Sequence, residues 1–127
     1  MGADVTIDRK TRVIRVIFSG RVTLAEMYDG RRRMLQDPAF DRTFSQLIDA
    51  RSVETFEVNG YTIKQLAQDN VFAAGARRAI VLNSAPDLAL GRMFQIYRRL
   101  AGGRETIEVF TDVEKAQEWL GLPITNP

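Results

Sequence analysis

The sequence has 127 residues, of which 45% are hydrophobic and 27% charged, and this composition predicts one globular domain spanning residues 1–127. Because it contains no cysteine and no histidine, disulfides, thiol nucleophiles, histidine-dependent triads and the usual zinc sites are excluded. The formal net charge is only +2, with 18 basic side chains dispersed among 16 acidic ones, which argues against specific nucleic-acid binding.

Two β-rich runs open the chain. Val5 to Ile7 and Val13 to Phe18 predict the strands of a hairpin, with the polar segment Asp8 to Thr11 as its turn. Gly20 is expected to end the second strand. Because Arg15 interrupts this most apolar stretch and no signal-peptide pattern precedes it, we predict a cytoplasmic protein without a transmembrane segment.

A helix and a buried strand follow. Thr23 and Glu26 have the spacing of a capping box, so the first helix is predicted over Leu24 to Leu35. The run Gln46 to Ala50 is short and apolar enough for a buried third strand. The polar segment Arg51 to Val58 is predicted to be a loop.

The middle of the chain predicts two further helices with a strand between them. Asn59 is a suitable N-cap for a second helix that ends by Asn70. The apolar run Ala79 to Leu82 predicts a fourth strand. Ser84 is positioned to start the third helix, which is expected to stop at the glycine pair that begins with Gly102.

The last two elements are a strand and a helix. Thr106 to Phe110 alternates as a strand does, and Thr111 with Glu114 predicts a second capping box for a helix that stops at Gly121. The order is thus β-β-α-β-α-β-α-β-α. Since strands and helices alternate after the hairpin, we predict an α/β fold with a mostly parallel central sheet, right-handed crossovers and flanking helices.

This order of elements is similar to that of STAS domains, the domains of anti-sigma-factor antagonists. The segment Ile48 to Leu66 resembles the family's signature, in which a hydrophobic strand ends in Asp and Asp-Ser-Ser-Gly opens the next helix. Asp49 matches the strand-ending residue and Gly60 matches the glycine. The resemblance implies a SpoIIAA-like fold and a binding or interaction module.

One position of that signature differs in its chemistry. In the antagonists, the serine directly before the glycine is phosphorylated and governs partner binding, whereas the matching residue here is Asn59. An asparagine side chain accepts no phosphoryl group. The resemblance therefore implies the scaffold without its phosphoserine switch, and Thr62 is the nearest aliphatic hydroxyl.

The rest of the chain resembles the SpoIIAA-like subgroup that is related to CRAL-TRIO (SEC14-type lipid-binding) domains. The similarity lies in three stretches, which are residues 37–41, residues 91–94 and residues 109–120. It implies a lipid or fatty-acyl carrier as the alternative to an interaction module.

One arginine falls on the apolar side of the first helix. At 100° per residue, Arg31 lies in the middle of an arc formed by Leu24, Met27, Tyr28, Met34 and Leu35. Arg31 either buries its stem and extends its charge to the solvent, or pairs with a carboxylate such as Asp49, or faces a ligand or a partner.

The third helix has more apolar surface than a one-sided helix requires. One row contains Ala89, Met93, Ile96 and Leu100, the next contains Leu90, Phe94, Tyr97 and Ala101, and the polar strip contains Arg92, Gln95 and Arg99. Either the helix is deeply buried, or Met93, Phe94 and Tyr97 line a dimer interface or an apolar pocket. Methionine, tyrosine and arginine are together typical of interfaces.

Anion binding and catalysis have weaker support in the sequence. Two helix N-termini, near Asn59 and near Ser84, lie close in sequence to Arg51 or Arg92 and suit an anion. Ordinary helix capping explains both, since no glycine-rich phosphate loop is present. The carboxylates, arginines and hydroxyls form no nucleophile-base pair in the sequence, so no catalytic residue, metal site or cofactor is predicted.

We therefore predict a cytoplasmic, non-enzymatic binding module of the STAS type, a homodimer that acts through protein contact or by holding a small apolar or anionic ligand. The alternative, a SEC14-like lipid or fatty-acyl carrier, requires an enclosed cavity beneath the third helix, whereas an interaction module has a filled core and an exposed apolar face. A carboxylate-dependent enzyme would need a deep cleft around Asp49 and Glu57. The predicted ligand- or partner-binding residues are Arg31, Arg51, Glu57, Asn59, Gly60, Tyr61, Arg92, Met93, Phe94 and Tyr97.

Overall fold

Residues 2–123, which a computed structural model describes, form five strands and four helices. In chain order these are β1 (Gly2–Asp8), β2 (Val13–Thr23), α1 (Leu24–Gln36), β3 (Ser45–Glu57), α2 (Gly60–Leu66), β4 (Arg77–Val81), α3 (Ala85–Leu100), β5 (Thr106–Phe110) and α4 (Val113–Leu120). No helix in this range is long and apolar enough to cross a membrane.

The sheet is mixed, and its strands lie side by side in chain order, β1-β2-β3-β4-β5. β1 and β2 form the predicted hairpin and are antiparallel, whereas β2, β3, β4 and β5 run parallel to one another. The predicted order of elements and the mostly parallel sheet are therefore confirmed.

Helices cover the two faces of the sheet unequally. When parallel strands follow one another in a single direction, right-handed crossovers place their helices on the same face. The larger apolar cluster accordingly joins the inward side chains of β2 to Met34 of α1 and Phe94 of α3. On the opposite face, a smaller cluster joins Val13 and Leu47 to Ala116 of α4.

β2 and β3 are both longer than the sequence predicted. Gly20 does not end β2. Its φ of +67°, which glycine adopts without a Cβ clash, accompanies a register shift, after which pairing with β3 continues to Thr23. The segment Arg51 to Val58, predicted as a loop, is strand as far as Glu57. The prediction was wrong because the pairing partner of this polar segment is distant in the sequence.

Side-chain caps begin three helices where the sequence placed them. Thr23 and Glu26 form both hydrogen bonds of a capping box at α1, and Asn59 and Ser84 cap α2 and α3. These predicted helix starts are confirmed. α2 is short and ends at Leu66, before the limit that the sequence set.

The predicted capping box of the last helix is wrong. Asp112 rather than Thr111 caps α4, and its carboxylate accepts a hydrogen bond from the backbone N–H of Glu114. An aspartate at this position also places negative charge at the positive end of the helix dipole. The helix ends as predicted at Gly121, which has a left-handed φ of +73°.

We predict that amide hydrogen exchange will distinguish strand from loop over residues 51–57. Pairing between β3 and β4 ends at Asp49, whereas pairing with β2 continues to Glu57. Every second amide of this segment should therefore be protected, because alternate N–H groups point toward β2. Exchange followed by NMR measures this, with the exposed turn residue Arg9 as the rapidly exchanging reference. Uniformly rapid exchange would contradict the extended strand.

Candidate functional site

A cavity of about 120 Å³ lies between the sheet and the layer formed by α1, α2 and α3, and it is partly open to solvent. Ala50 supplies a small side chain on the β3 side of the cavity. The walls are mainly apolar and include Val16, Phe56, Ile63, Leu66, Leu90 and Phe94. The polar residues on the wall, among those the structure describes, are Arg31, Gln46, Asp69, Arg78 and Asp87.

Arg78 is a deeply buried cation on this wall. It lies on β4, and its side chain is only 9% exposed. Its Nε donates to Oε1 of Gln46 at 2.8 Å and its Nη1 donates to Oε2 of Glu105 at 2.9 Å. The guanidinium also lies over two aromatic rings, 4.5 Å from the centroid of Phe72 and 5.3 Å from that of Phe94. These contacts fix the plane of a cation beside an apolar space.

A second buried guanidinium shares the same carboxylate. Arg98 of α3 binds Glu105 through Nε at 3.0 Å and Nη2 at 2.9 Å. Its Nη1 donates to the carbonyl of Ala67 and its Nη2 also reaches Asn70. The side chains of Arg98 and Glu105 are 3% and 1% exposed. Two buried cations therefore share one buried anion, which leaves a net positive charge in this cluster.

Burial and ion pairing shift the pKa values of Arg78 and Glu105 in opposite directions. Burial lowers the pKa of Arg78 to about 10, and the attraction of Glu105 only partly offsets the effect. Burial raises the pKa of the Glu105 carboxyl, but hydrogen bonds from Arg98 and Arg78 outweigh it and hold that pKa below its usual value. Arg78 and Glu105 are therefore both charged at neutral pH.

One nitrogen of Arg78 remains available. Within residues 2–123, Nη2 of Arg78 donates to no protein acceptor, whereas Nε and Nη1 both do. No completely buried side-chain nitrogen or oxygen in this range lacks a partner. Nη2 is therefore not completely buried, and Arg78 is one of the residues that line the cavity.

Arg31 lies on the same cavity. Its Nη1 binds Oδ2 of Asp69 at 2.7 Å, and its Nη2 donates to the carbonyl of Leu66 at 2.8 Å. The guanidinium also lies over the ring of Tyr28. Arg31 is thus paired with a carboxylate, but the partner is Asp69 rather than Asp49, which is bound by another arginine on the opposite face of the sheet.

Asp49 and Arg51 form that separate pair. The Asp49 carboxylate accepts from the backbone N–H, Nε and Nη2 of Arg51, at 3.1, 3.0 and 2.8 Å. Hydrogen bonds from Arg51 lower the pKa of Asp49 despite partial burial. The pair lines a groove beside α4 together with Arg15 and Gln117. Arg51 therefore lies away from the cavity that Arg31 lines.

The remaining predicted residues around α2 lie at or near the surface. Glu57 is exposed and pairs with Arg21 at 2.8 Å, and Asn59 is occupied as the cap of α2. Tyr61 is exposed. A Cβ on Gly60 would lie 3.6 Å from the sulfur of Met93, so the structure brings the start of α2 against α3.

The exposed and buried sides of α3 differ from those predicted from the sequence. Phe94 lines the cavity. Arg98 is buried, as is Gly91. Glu105 and the carbonyl of Ala67 pair with the charge and the N–H donors of Arg98. The excess apolar surface of α3 is thus divided between the cavity and the exterior. The row Ala89, Met93, Ile96 and Leu100 is exposed, as is Arg92, whereas Tyr97 is half-buried.

The three residues of the buried charged cluster, Arg78, Arg98 and Glu105, were not found from the sequence. One signal was present for Arg78, because residues 78, 80 and 82 alternate onto one face of a strand. Arginine is rarely buried without a partner, and Glu105 is distant in sequence from Arg78, so the pattern alone did not indicate the pair.

Comparison with known proteins agrees with the fold. A crystal structure of an uncharacterised protein of the DUF3478 family with a SpoIIAA-like fold, from Shewanella loihica PV-4, has a TM-score of 0.59 to this chain. The two sequences are 17% identical, and the match covers 94% of each chain. The SpoIIAA-like fold predicted from the sequence is therefore confirmed, while the CRAL-TRIO subgroup and the homodimer stay predictions. No family model and no curated protein matches the sequence.

The two buried arginines should differ in their importance for stability. Arg98→Met removes two bonds to Glu105 and leaves the Ala67 carbonyl without its donor, so we expect a loss of about 3–5 kcal/mol. Arg78→Met leaves Glu105 paired with Arg98 and removes the unbalanced charge, which offsets the lost bond to Gln46. We expect a loss below about 2 kcal/mol.

Urea unfolding measures both values. The exposed Arg99→Met on the same helix serves as the control, with an expected change within about 0.5 kcal/mol. A larger loss for Arg78→Met than for Arg98→Met would contradict this division of roles.

Proposed function

We propose that this protein is a non-enzymatic binding module that holds one small, largely apolar molecule in the cavity between the sheet and α1, α2 and α3. The observation that carries the proposal is the cavity itself, with its apolar wall and volume of about 120 Å³. A dry cavity of roughly 150 Å³ in another protein accommodates benzene. The ligand suggested by the volume is therefore about the size of one aromatic ring.

The apolar wall of the cavity favours an occupant. Because the cavity is partly open, water can contact its apolar side chains, and a molecule that replaces this water gains hydrophobic and dispersion energy.

The chemistry of the wall favours binding over catalysis. Among the described residues that line the cavity there is no serine, threonine, tyrosine or lysine, so the wall offers no hydroxyl or amine nucleophile. The Asp69 carboxylate is paired with Arg31 and 61% exposed. Asp87 lies in the first turn of α3, where its charge complements the helix dipole. These side chains suit the orientation of a bound molecule rather than its chemical conversion.

The lipid-carrier alternative is not favoured by the same volume. A cavity slightly smaller than one that holds benzene does not enclose a long acyl chain. The volume therefore favours a short or ring-shaped ligand over a membrane lipid.

A second candidate function, self-association, has its own observation. Met93, Ile96 and Leu100 are exposed in one row on α3, and the exposed Tyr61 lies on α2, whose start is close to Met93. Arginines border this row. Exposed methionine, tyrosine and arginine are typical of protein interfaces, and a second copy of the chain is the partner that the sequence hypothesis named.

Filling the cavity should abolish binding without unfolding the protein. In the wild type we expect benzene to shift the NMR methyl signals of Ile63 and Leu66 saturably. Ala50→Leu, which extends a side chain into the space, should remove these shifts. Ala89→Leu adds the same atoms on the exposed side of α3 and should leave them unchanged.

The smaller change Ala50→Val covers the case in which leucine overfills the site, and native mass spectrometry of the purified protein reports any ligand retained from the cell. Absence of saturable shifts in the wild type, or equal binding by the Ala50 variants, would rule out the cavity as a ligand site.

Charge on the exposed row of α3 should prevent self-association. Ile96→Glu places a carboxylate in the centre of the row, so we expect a monomer where the wild type is a dimer, as measured by light scattering. Leu35→Glu, on an exposed apolar residue of α1, is the control and should not change the mass. A wild type that is already monomeric would contradict this second candidate.

A further inference from the structure

We infer that the ligand of the cavity is a small carboxylate whose charged group binds Nη2 of Arg78. This inference rests on the proposed binding role of the cavity and names the chemical class of the ligand. Such a ligand has an apolar body about the size of a ring and a single negative charge at one end.

The charge of the buried cluster is the first support. Arg78 and Arg98 share the carboxylate of Glu105, and Arg31 is balanced separately by Asp69. Within the cluster of Arg78, Arg98 and Glu105, one positive charge therefore has no counterpart, and Asp87 on the same cavity wall forms no ion pair with either arginine. Burying an unbalanced charge is unfavourable, and an anion bound in the cavity would remove the imbalance.

The division of hydrogen bonds is the second support. Glu105 already receives two bonds from Arg98, one to each oxygen. Both oxygens of this buried carboxylate therefore have a donor without Arg78. Arg78, which lines the cavity, adds one further bond through Nη1, and its Nη2 has no acceptor among residues 2–123. A purely structural role for Arg78 does not explain why this cation keeps a donor without an acceptor.

The rigidity of Arg78 is the third support. Gln46 and Glu105 hold Nε and Nη1, and the rings of Phe72 and Phe94 lie against the guanidinium. A guanidinium held in one orientation loses little conformational entropy when an anion binds. Hydrogen bonds between a guanidinium and a carboxylate are also stronger than those between neutral groups.

The apolar wall of the cavity determines the rest of the ligand. Side chains from β2, β3, α2 and α3 surround the space, and such surfaces favour an uncharged hydrocarbon body. The volume limits this body to about one aromatic ring or a short branched chain. Benzoate is the simplest probe that has both parts.

The test compares three probes of similar size on the folded chain: benzoate, benzamide and benzene. Titrations are followed by the methyl signals of Ile63 and Leu66. We expect benzoate to bind about tenfold or more tightly than benzamide, because the carboxylate gains a charge-assisted bond to Nη2. In Arg78→Met, benzoate should lose this advantage while benzene still binds.

Two further variants keep the result interpretable. Arg99→Met removes an exposed arginine of α3 and should leave the preference for benzoate intact. Arg78→Lys keeps the positive charge but not the planar donor, so we expect part of the preference to remain. Arg78→Lys also tests the preference for benzoate if Arg78→Met does not fold.

The outcomes separate this inference from the proposal on which it rests. If benzene binds and benzoate is not preferred over benzamide, the inference of a carboxylate ligand is wrong, and the cavity remains a site for neutral molecules. A full preference for benzoate that survives in Arg78→Met also overturns it. Binding of none of the three probes overturns the cavity site itself.

Discussion

The position of the helical layer over the sheet depends on the carboxylate of Glu105. This residue lies just before β5 and accepts hydrogen bonds from Arg98 of α3 and Arg78 of β4. Arg98 in turn reaches the carbonyl of Ala67, directly after α2. A single buried anion thus links two strands and two helices through directional bonds, whereas an apolar core relies on side-chain packing alone.

The same cluster connects the structure to the proposed binding role. A guanidinium is well suited to a buried position, since it is weakly hydrated, planar and able to lie against aromatic rings. Arg78 combines these properties at the boundary between a polar network and an apolar space. Specificity in such a site arises from one fixed charge and a limited volume. On the opposite face of the sheet, α4 packs against a small apolar cluster instead.

Local sequence patterns predicted most of the fold. The features that they did not predict depend on residues that are distant in the sequence. The cap at Thr23 and the stop at Gly121 depend on neighbours within one turn, so both were predictable. The strand beyond Arg51 depends on pairing with β2 across the register shift at Gly20. The buried position of Arg98 likewise depends on Glu105, and hydropathy alone places an arginine at the surface. The candidate site was therefore less predictable than the scaffold, because its charged groups are buried only where they pair with one another.

The order of the strands also determines the order in which the chain can assemble. Each strand from β2 onward lies beside the one synthesised just before it, so no pairing waits for a strand made much later. The face covered by α4 is the exception. Val13, Leu47, Ala79 and Val81 come from three different strands, and they stay accessible to other chains until the last helix has been made. A shortened chain that lacks α4 would therefore retain its sheet but present this apolar face to the solvent, where aggregation competes with folding.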